Sequence, residues 1–296
     1  MPVSGPPAGR ADHVDGGVRA ALHRAERIGT SIARGFTIFA VSVLLLPYTV
    51  VPVYEVPDTA PFTGSALLNP YATLGPSWQR ANFHAHTRAW AGLTSGRGTP
   101  ESVHAAYAAA GYDVIGISNY HQIDSARTDT LFLPVYEHGF SIAKSHQLLI
   151  GAREVTGLDF PLWQTTSAKQ YLLGRMRDST VLTAIAHPYL RNGYEPRELA
   201  RLGGYDLLEV RSHWNDASAW WDSVLTHGNP IWAIGNDDSH DVTNPTDLGV
   251  VWTMANAPDA RPASIMSALR AGAMYVVAGD SGATPAATVR RVTIVG

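Results

Sequence analysis

The sequence predicts an α/β protein: a closed (β/α) barrel of about seven units, preceded by a single N-terminal transmembrane helix. Three observations carry that prediction. Short apolar runs alternate with helical stretches from residue 80 onward, an uncharged run of twenty residues precedes them, and side chains able to ligate metal recur where the apolar runs end.

The uncharged run is "GFTIFAVSVLLLPYTVVPVY", residues 35–54, about the length a helix needs to cross a bilayer core. Pro47 and Pro52 are expected to kink or shorten it. Arg10, Arg19, Arg24, Arg27 and Arg34 precede it, whereas Glu55 and Asp58 follow. Positive charge stays cytoplasmic, so a single-pass anchor with a cytoplasmic N-terminus and an extracytoplasmic main domain is expected. Secretion after cleavage of a signal peptide is the alternative. The chain then divides into a basic tail (1–34), the anchor (35–54), a Pro- and Gly-rich linker (55–79), the barrel (80–280) and a C-terminal strand or remnant of a β extension (281–296).

Within the barrel region, "ANFHA" (81–85) reads as the first strand. Thr99-Pro100-Glu101 supplies a cap and an N1 proline for a helix that Gly111 ends. "YDVIGIS" (112–118), "QLLIGARE" (147–154), "VLTAIAH" (181–187), "DLLEVRS" (206–212), "IWAIGND" (231–237) and "LGVVWTM" (248–254) read as further strands. Helical stretches at 165–178, 195–203 and 215–227 separate several of them. Continuous apolar strands between helices indicate a parallel sheet covered on both faces.

Bulk composition narrows the function. With 45% hydrophobic and 16% charged residues the 296-residue chain is globular, and a net charge of −3 supplies no basic field, so nucleic acid is not expected as a partner. Cysteine is absent, so any metal must be held by His, Asp or Glu. In a barrel, chemistry sits at the carboxyl ends of the strands. His84 and His86 end the first strand, His121 follows the second, Glu154 closes the third, His187 the fourth, and His213 the fifth. Asp238 and His240 follow the sixth. Residues two apart on a strand share a face, so His84 with His86, and Asp238 with His240, can aim at one point. Glu154 can bridge two ions. His104, His138, His146 and His227 read as structural. Trp214, Trp220, Trp221, Trp232 and Trp252 read as core and barrel wall, with a stacking surface at the site mouth as the sharper alternative.

These motifs resemble the polymerase-and-histidinol-phosphatase (PHP) superfamily of metal-dependent phosphoesterases, whose members are distorted seven-stranded β/α barrels binding two or three ions, commonly zinc, manganese or iron. Its HxHT motif is matched by "HAHT" (84–87), its His-Pro by "AHP" (186–188) and its closing Asp-x-His by "DSH" (238–240); its bridging glutamate falls on Glu154. "VIGISNYH" (114–121) takes the place of its second motif, with Asn119-Tyr120 where the family has Asp-His. The histidine the family usually offers between the glutamate and His-Pro is not found after Glu154. The resemblance therefore implies a distorted (β/α)7 PHP-type barrel with one to three divalent ions (Zn, Mn or Fe), the third position weak or missing.

On that reading His84, His86, Glu154 and Asp238 hold the first ion, and Glu154, His187 and His240 the second. His84, Glu154, His187 and Asp238 carry the catalysis, and His121 and His213 are further candidate ligands. Arg88, Arg153, Arg191 and Arg211 are candidates to complement phosphate charge. The function implied is a membrane-anchored phosphoesterase using a metal-activated water on a small, anionic substrate. The alternatives are hydrolysis of carboxylic esters, amides or carbamates, and a non-catalytic metal- or ligand-binding ectodomain.

Overall fold

The computed structural model describes residues 11–56, 58–61, 63, 69–124, 130–214 and 216–279, and the chain divides into two units, Met1–Val50 and Val51–Gly296. The predicted segment 281–296 lies outside the described residues.

In the first unit, helix α1 spans Ala11–Leu45 and passes into a 3-10 turn, Leu46–Thr49. Pro47 sets the change, because its ring removes a backbone donor and crowds the preceding turn. The helical stretch Ala21–Thr49 contains an 18-residue window of mean hydropathy 1.7 and is long and apolar enough to cross a membrane, a test that a signal sequence also passes. The expected span of 35–54 runs too far, since residues 50–54 are not helical.

Among its described residues the second unit holds nine strands: β1 (Gln79–Asn82), β2 (Val114–Ile115), β3 (Val135–His138), β4 (Gln147–Ile150), β5 (Leu182–Ile185), β6 (Leu207–Arg211), β7 (Trp232–Gly235), β8 (Val251–Ala255) and β9 (Met274–Ala278). Helices α2 (Pro100–Ala109), α3 (Thr166–Met176), α4 (Pro196–Arg201), α5 (Ser218–Thr226) and α6 (Pro262–Ala271) connect them. Thr99 caps α2 as expected: its Oγ1 accepts from the Ser102 N–H, and Ser102 Oγ accepts from the Thr99 N–H.

The expected closed parallel barrel is replaced by two mixed sheets, ordered β2-β1-β8-β9 and β3-β4-β5-β6-β7. Pairs β1/β2, β5/β6 and β6/β7 are parallel; β1/β8, β8/β9, β3/β4 and β4/β5 are antiparallel. The reversal at β4 has a simple cause. Only residues 139–146 join it to β3, too few for the crossover that parallel neighbours require. The sheets do not close by continuous pairing, but two single-residue bridges, Tyr120↔Glu137 and Ala85↔Ser239, span the gaps between them at one rim. The overall arrangement is a barrel-like mixed α/β fold.

Phe83, Val135, Leu148, Ile150, Leu182, Leu207 and Ile234 meet Ile265, Met266 and Leu269 of α6 in one buried cluster. Full burial of each such side chain contributes about 1.5–3 kcal/mol relative to leaving it in water. A second cluster packs α4 and α5 on the five-stranded sheet through Leu199, Val224, Ile185, Leu208 and Val210. A third packs Val103 and Tyr107 of α2 against Ile117 and Trp252.

A candidate metal centre

The rim that carries the two bridges is formed by the carboxyl ends of β1, β2, β3, β5, β6 and β7 and, because β4 runs in reverse, by the amino end of β4. Seven titratable side chains meet there: His84 and His86 after β1, Glu137 on β3, His146 before β4, His187 after β5, and Asp238 and His240 after β7. All but the partly exposed His240 are buried.

Glu137 stands between two groups. Its Oε2 lies 3.4 Å from His84 Nε2 and 3.2 Å from His86 Nε2, and Asp238 Oδ1 lies 3.1 and 3.3 Å from the same two nitrogens. Its Oε1 lies 2.5 Å from His146 Nδ1 and 3.1 Å from His187 Nε2. His240 joins the first group, with its ring 4.4 Å from that of His86 and its Nδ1 3.8 Å from Asp238 Oδ1.

Those spacings fit ions. Donor atoms about 2.1 Å from a common cation, at angles between octahedral and tetrahedral, are separated by about 3.0–3.4 Å. His84 Nε2, His86 Nε2, Glu137 Oε2 and Asp238 Oδ1 are buried, and none makes a hydrogen bond. Buried polar atoms left without partners are costly, and four of them converging on one point is the signature of a coordination site. Four triads here, His84-His86-Glu137, His84-His187-Asp238, His86-Asp238-His240 and Glu137-His146-His187, each bring ligand atoms within 4.8 Å of one another.

Electrostatics follow from this crowding. Burial alone would push the Glu137 and Asp238 carboxyls up, but the surrounding imidazoles, chiefly His146 and His84 for Glu137 and His84 for Asp238, hold both well below the usual range. Burial would likewise drive His84, His86 and His187 down; the acidic neighbours instead raise all three. His146 stays low because burial wins, and His240 falls to about 4 through burial and the nearby His86.

A supporting layer orients the donors. Glu209 is fully buried on β6; its Oε1 accepts from His84 Nδ1 (3.0 Å) and Asn236 Nδ2 (2.8 Å), and its Oε2 accepts from the His187 N–H (2.9 Å). That N–H belongs to a residue at φ +24°, and Asp238 sits at φ +52°, so both are held in sparsely populated backbone conformations. Asn82 and Asn236 exchange bonds across β1 and β7, from Asp237 N–H to Asn82 Oδ1 and from Phe83 N–H to Asn236 Oδ1. Gly96 packs so closely on the His86 turn that a Cβ there would lie 2.3 Å from Thr87 O.

Several expectations are corrected here. Glu154 is exposed and follows the carboxyl end of β4, which the antiparallel reversal places at the opposite rim. Glu137, rather than Glu154, lies among the grouped donors, and His146, expected to be structural, groups with it and His187. His240 groups with His86 and Asp238 rather than with His187.

His121, at φ +48°, turns away from the centre: its Nδ1 faces Thr156 O and its Nε2 accepts from the Gly139 N–H, beside His138 and Asp159. His213 reaches Asp237 O and Asp247 rather than the cluster. Arg153 is exposed beside Glu154 at the far rim, Arg211 pairs with Asp216 at 2.6 Å, and Arg88 and Arg191 are exposed on segments that leave the site rim.

The Asn119-Tyr120 pair also finds its place. Asn119 ties the first two strand ends together by accepting the Thr87 N–H and donating to Thr87 Oγ1. Tyr120 lays its ring on His86 at 4.9 Å and against His146 at 5.4 Å, and Lys144 places its ammonium 5.6 Å from the centre of that ring.

No protein-family model matches the chain, and no curated protein matches it. Among solved structures it is similar to a two-domain protein from Bacteroides vulgatus containing a predicted PHP-like metal-dependent phosphoesterase. That match has 13% identity and a TM-score of 0.46, covering 76% of this chain and 69% of the other. It is also similar to PsfC from Pseudomonas syringae PB-5123, at 14% identity and a TM-score of 0.47, covering 69% of this chain and 93% of that one.

Proposed function

We propose that the chain is a metal-dependent hydrolase of phosphate esters, held at a membrane by its N-terminal apolar helix. One observation carries the reading: Glu137 divides its two carboxylate oxygens between two sets of buried donors, the arrangement of a carboxylate shared by two cations. His84, His86, Glu137, Asp238 and His240 would hold one cation, and Glu137, His146 and His187 the other. Bound there, divalent cations supply the positive charge that polarises a phosphoryl oxygen and makes a nucleophilic water available near neutral pH.

The chain's own residues supply the rest. Glu209 fixes which nitrogen of His84 faces the centre by accepting at the other, and it holds the His187 backbone at the same time. Tyr120, half-buried at the mouth, shields the His86 and His146 rings on one side. The half-buried Lys144 ammonium beside it would complement the charge of an incoming phosphate.

The test is metal analysis of the purified full chain together with turnover of p-nitrophenyl phosphate and p-nitrophenyl acetate. The reading expects about two ions per chain, phosphatase activity, and loss of both in His84→Ala. Acetate turnover without phosphate turnover would assign the centre to carboxylic esters, and bound metal with neither activity would make it a binding site.

A further inference from the structure

The mouth of the centre is ringed by large apolar side chains left in water. Trp90 and Leu93 follow His86 and are 49% and 89% exposed; Phe140 and Ile142, between β3 and β4, are 52% and 63% exposed. Tyr189, two residues past His187, and Trp214, after β6, are 51% and 53% exposed. Three of them are fastened to the site. Trp90 Nε1 donates to Tyr120 O at 2.7 Å, Trp214 Nε1 donates to Asp238 O at 3.3 Å, and the Phe140 ring lies 6.1 Å from that of Tyr120. Of the other exposed apolar side chains of this unit, Val53 (92%) and Trp163 (55%) lie next to Tyr54 and close after Pro161, and Tyr54, Leu131, Val155 and Leu225 are 36–44% exposed. Several strongly exposed apolar side chains thus gather at this rim, and such exposure marks an interaction site.

We infer that this collar seats the centre on a bilayer surface, and that the substrate is a phosphate ester whose alcohol is a membrane lipid. The inference rests on the hydrolase reading for its chemistry and on the collar for its location. Trp and Tyr, with an apolar body and a polar handle, are the residues that settle at the membrane–water boundary. Here both tryptophan N–H groups are already engaged by the site's backbone, so the rings present their apolar bodies outward.

Chain connectivity favours a bilayer over other occupants. Pro161 accepts the Ile142 N–H, placing the start of the segment into α3 at this same rim. Tyr54 donates its N–H to Ser167 Oγ in the first turn of α3. The same chain carries a helix, Ala21–Thr49, long and apolar enough to cross a membrane, so a bilayer is the occupant that the chain itself supplies. Lys144, beside Tyr120 at the mouth, suits an anionic headgroup. Hydrolysis joins a water oxygen to phosphorus, breaks the bond from phosphorus to the lipid oxygen, and returns one proton to that oxygen. Phosphate leaves to water and the alcohol stays in the bilayer.

The absence of cysteine makes the test clean. Leu93→Cys, Ile142→Cys and Val155→Cys each give a full chain with one site for a nitroxide, reconstituted in vesicles of dioleoylphosphatidylcholine and dioleoylphosphatidic acid. At 93 and 142 the ratio of oxygen to aqueous chromium-complex collisions should exceed that at 155 by about tenfold. Equal ratios would overturn the inference, as would dipolar broadening between copies, which would assign the collar to a second chain. In parallel, a Leu93→Asp, Ile142→Asp chain should lower the ratio of phosphatidic-acid to p-nitrophenyl phosphate turnover by about tenfold, the effect of about 1.4 kcal/mol of lost docking. An unchanged ratio, or p-nitrophenyl phosphate turnover with none on the lipid, overturns the substrate class. Loss of both activities in the unaltered chain would sink the hydrolase reading alone, leaving the collision data to decide the docking.

Discussion

Glu137 and Glu154 differ in what surrounds them, and that difference is measurable. Glu137 is fully buried with four imidazole nitrogens within 3.4 Å, whereas Glu154 faces solvent. Glu137→Gln keeps the shape but removes the charge that neutralises the cations. It should cut bound metal to at most one ion per chain and lower turnover by about a thousandfold or more, a scale set by the loss of metal-derived charge stabilisation. Glu154→Gln should leave both unchanged. Metal analysis and p-nitrophenyl phosphate kinetics on the two variants decide between the carboxylates. The sequence made Glu154 attractive because it ends an apolar strand in good register. Glu137 sits in "VYEH", a four-residue strand too short to stand out from a loop, and only its pairing with β4 shows that it lies at the rim.

At the scale of elements, the connection between β3 and β4 does most to shape the centre, and it is fastened by Asp159. That carboxylate accepts the N–H groups of Phe140 and Phe160 at 2.5 and 2.6 Å. Burial would raise it, but His121 and those N–H groups outweigh the penalty and hold it at about 2. A depressed carboxylate contributes stability that is fully present above the unfolded value near 4 and is lost as pH falls through about 2. The contribution is about 2 kcal/mol at neutral pH. Asp159→Asn should therefore lower stability at pH 7 by about that amount and flatten the acid limb between about pH 4 and 2, as followed by urea unfolding across that range. An unaltered acid limb would mean that Asp159 does not carry it. Helices α2, α3, α4 and α5 were legible, since Thr99 and Pro100 start α2 and Pro196 sits in the first turn of α4, whereas α6, begun by Pro262, was not read from the sequence. Strand direction was not, because periodicity is the same whichever way a strand runs.

For the whole molecule, the centre joins both sheets: His84, His86 and Glu137 come from opposite sides of the gaps that only single bridges span. Cations held there would tie the sheets together and stabilise the fold by mass action. Stripping them with a chelator should cost about 3–4 kcal/mol if the metal was present at 100–1,000 times its Kd. That corresponds to a Tm lower by about 6–16 °C in a domain of this size, reversed by returning zinc or manganese. Protons compete for the same atoms, and the raised values of His84, His86 and His187 make that competition strong. The metal-dependent rise in Tm should accordingly be smaller at pH 6 than at pH 8. Melting curves that are the same with and without metal would argue against a site shared between the sheets.

What the linear chain determined is chemical inventory and local form. It has no thiol, it carries a stretch apolar enough for a membrane, and His84, His86, His187, Asp238 and His240 stand just past the ends of β1, β5 and β7. Residue type and short-range spacing fix such features because they depend on neighbours only a few bonds away. The tertiary structure alone decided that β4 runs backwards, that Glu137 and His146 meet the other donors, and that Glu154 and His121 do not. Those outcomes depend on the lengths of connections and the pairing of strands far apart in sequence, and a one-residue change of register or a reversed strand moves a side chain to the other face or the other end.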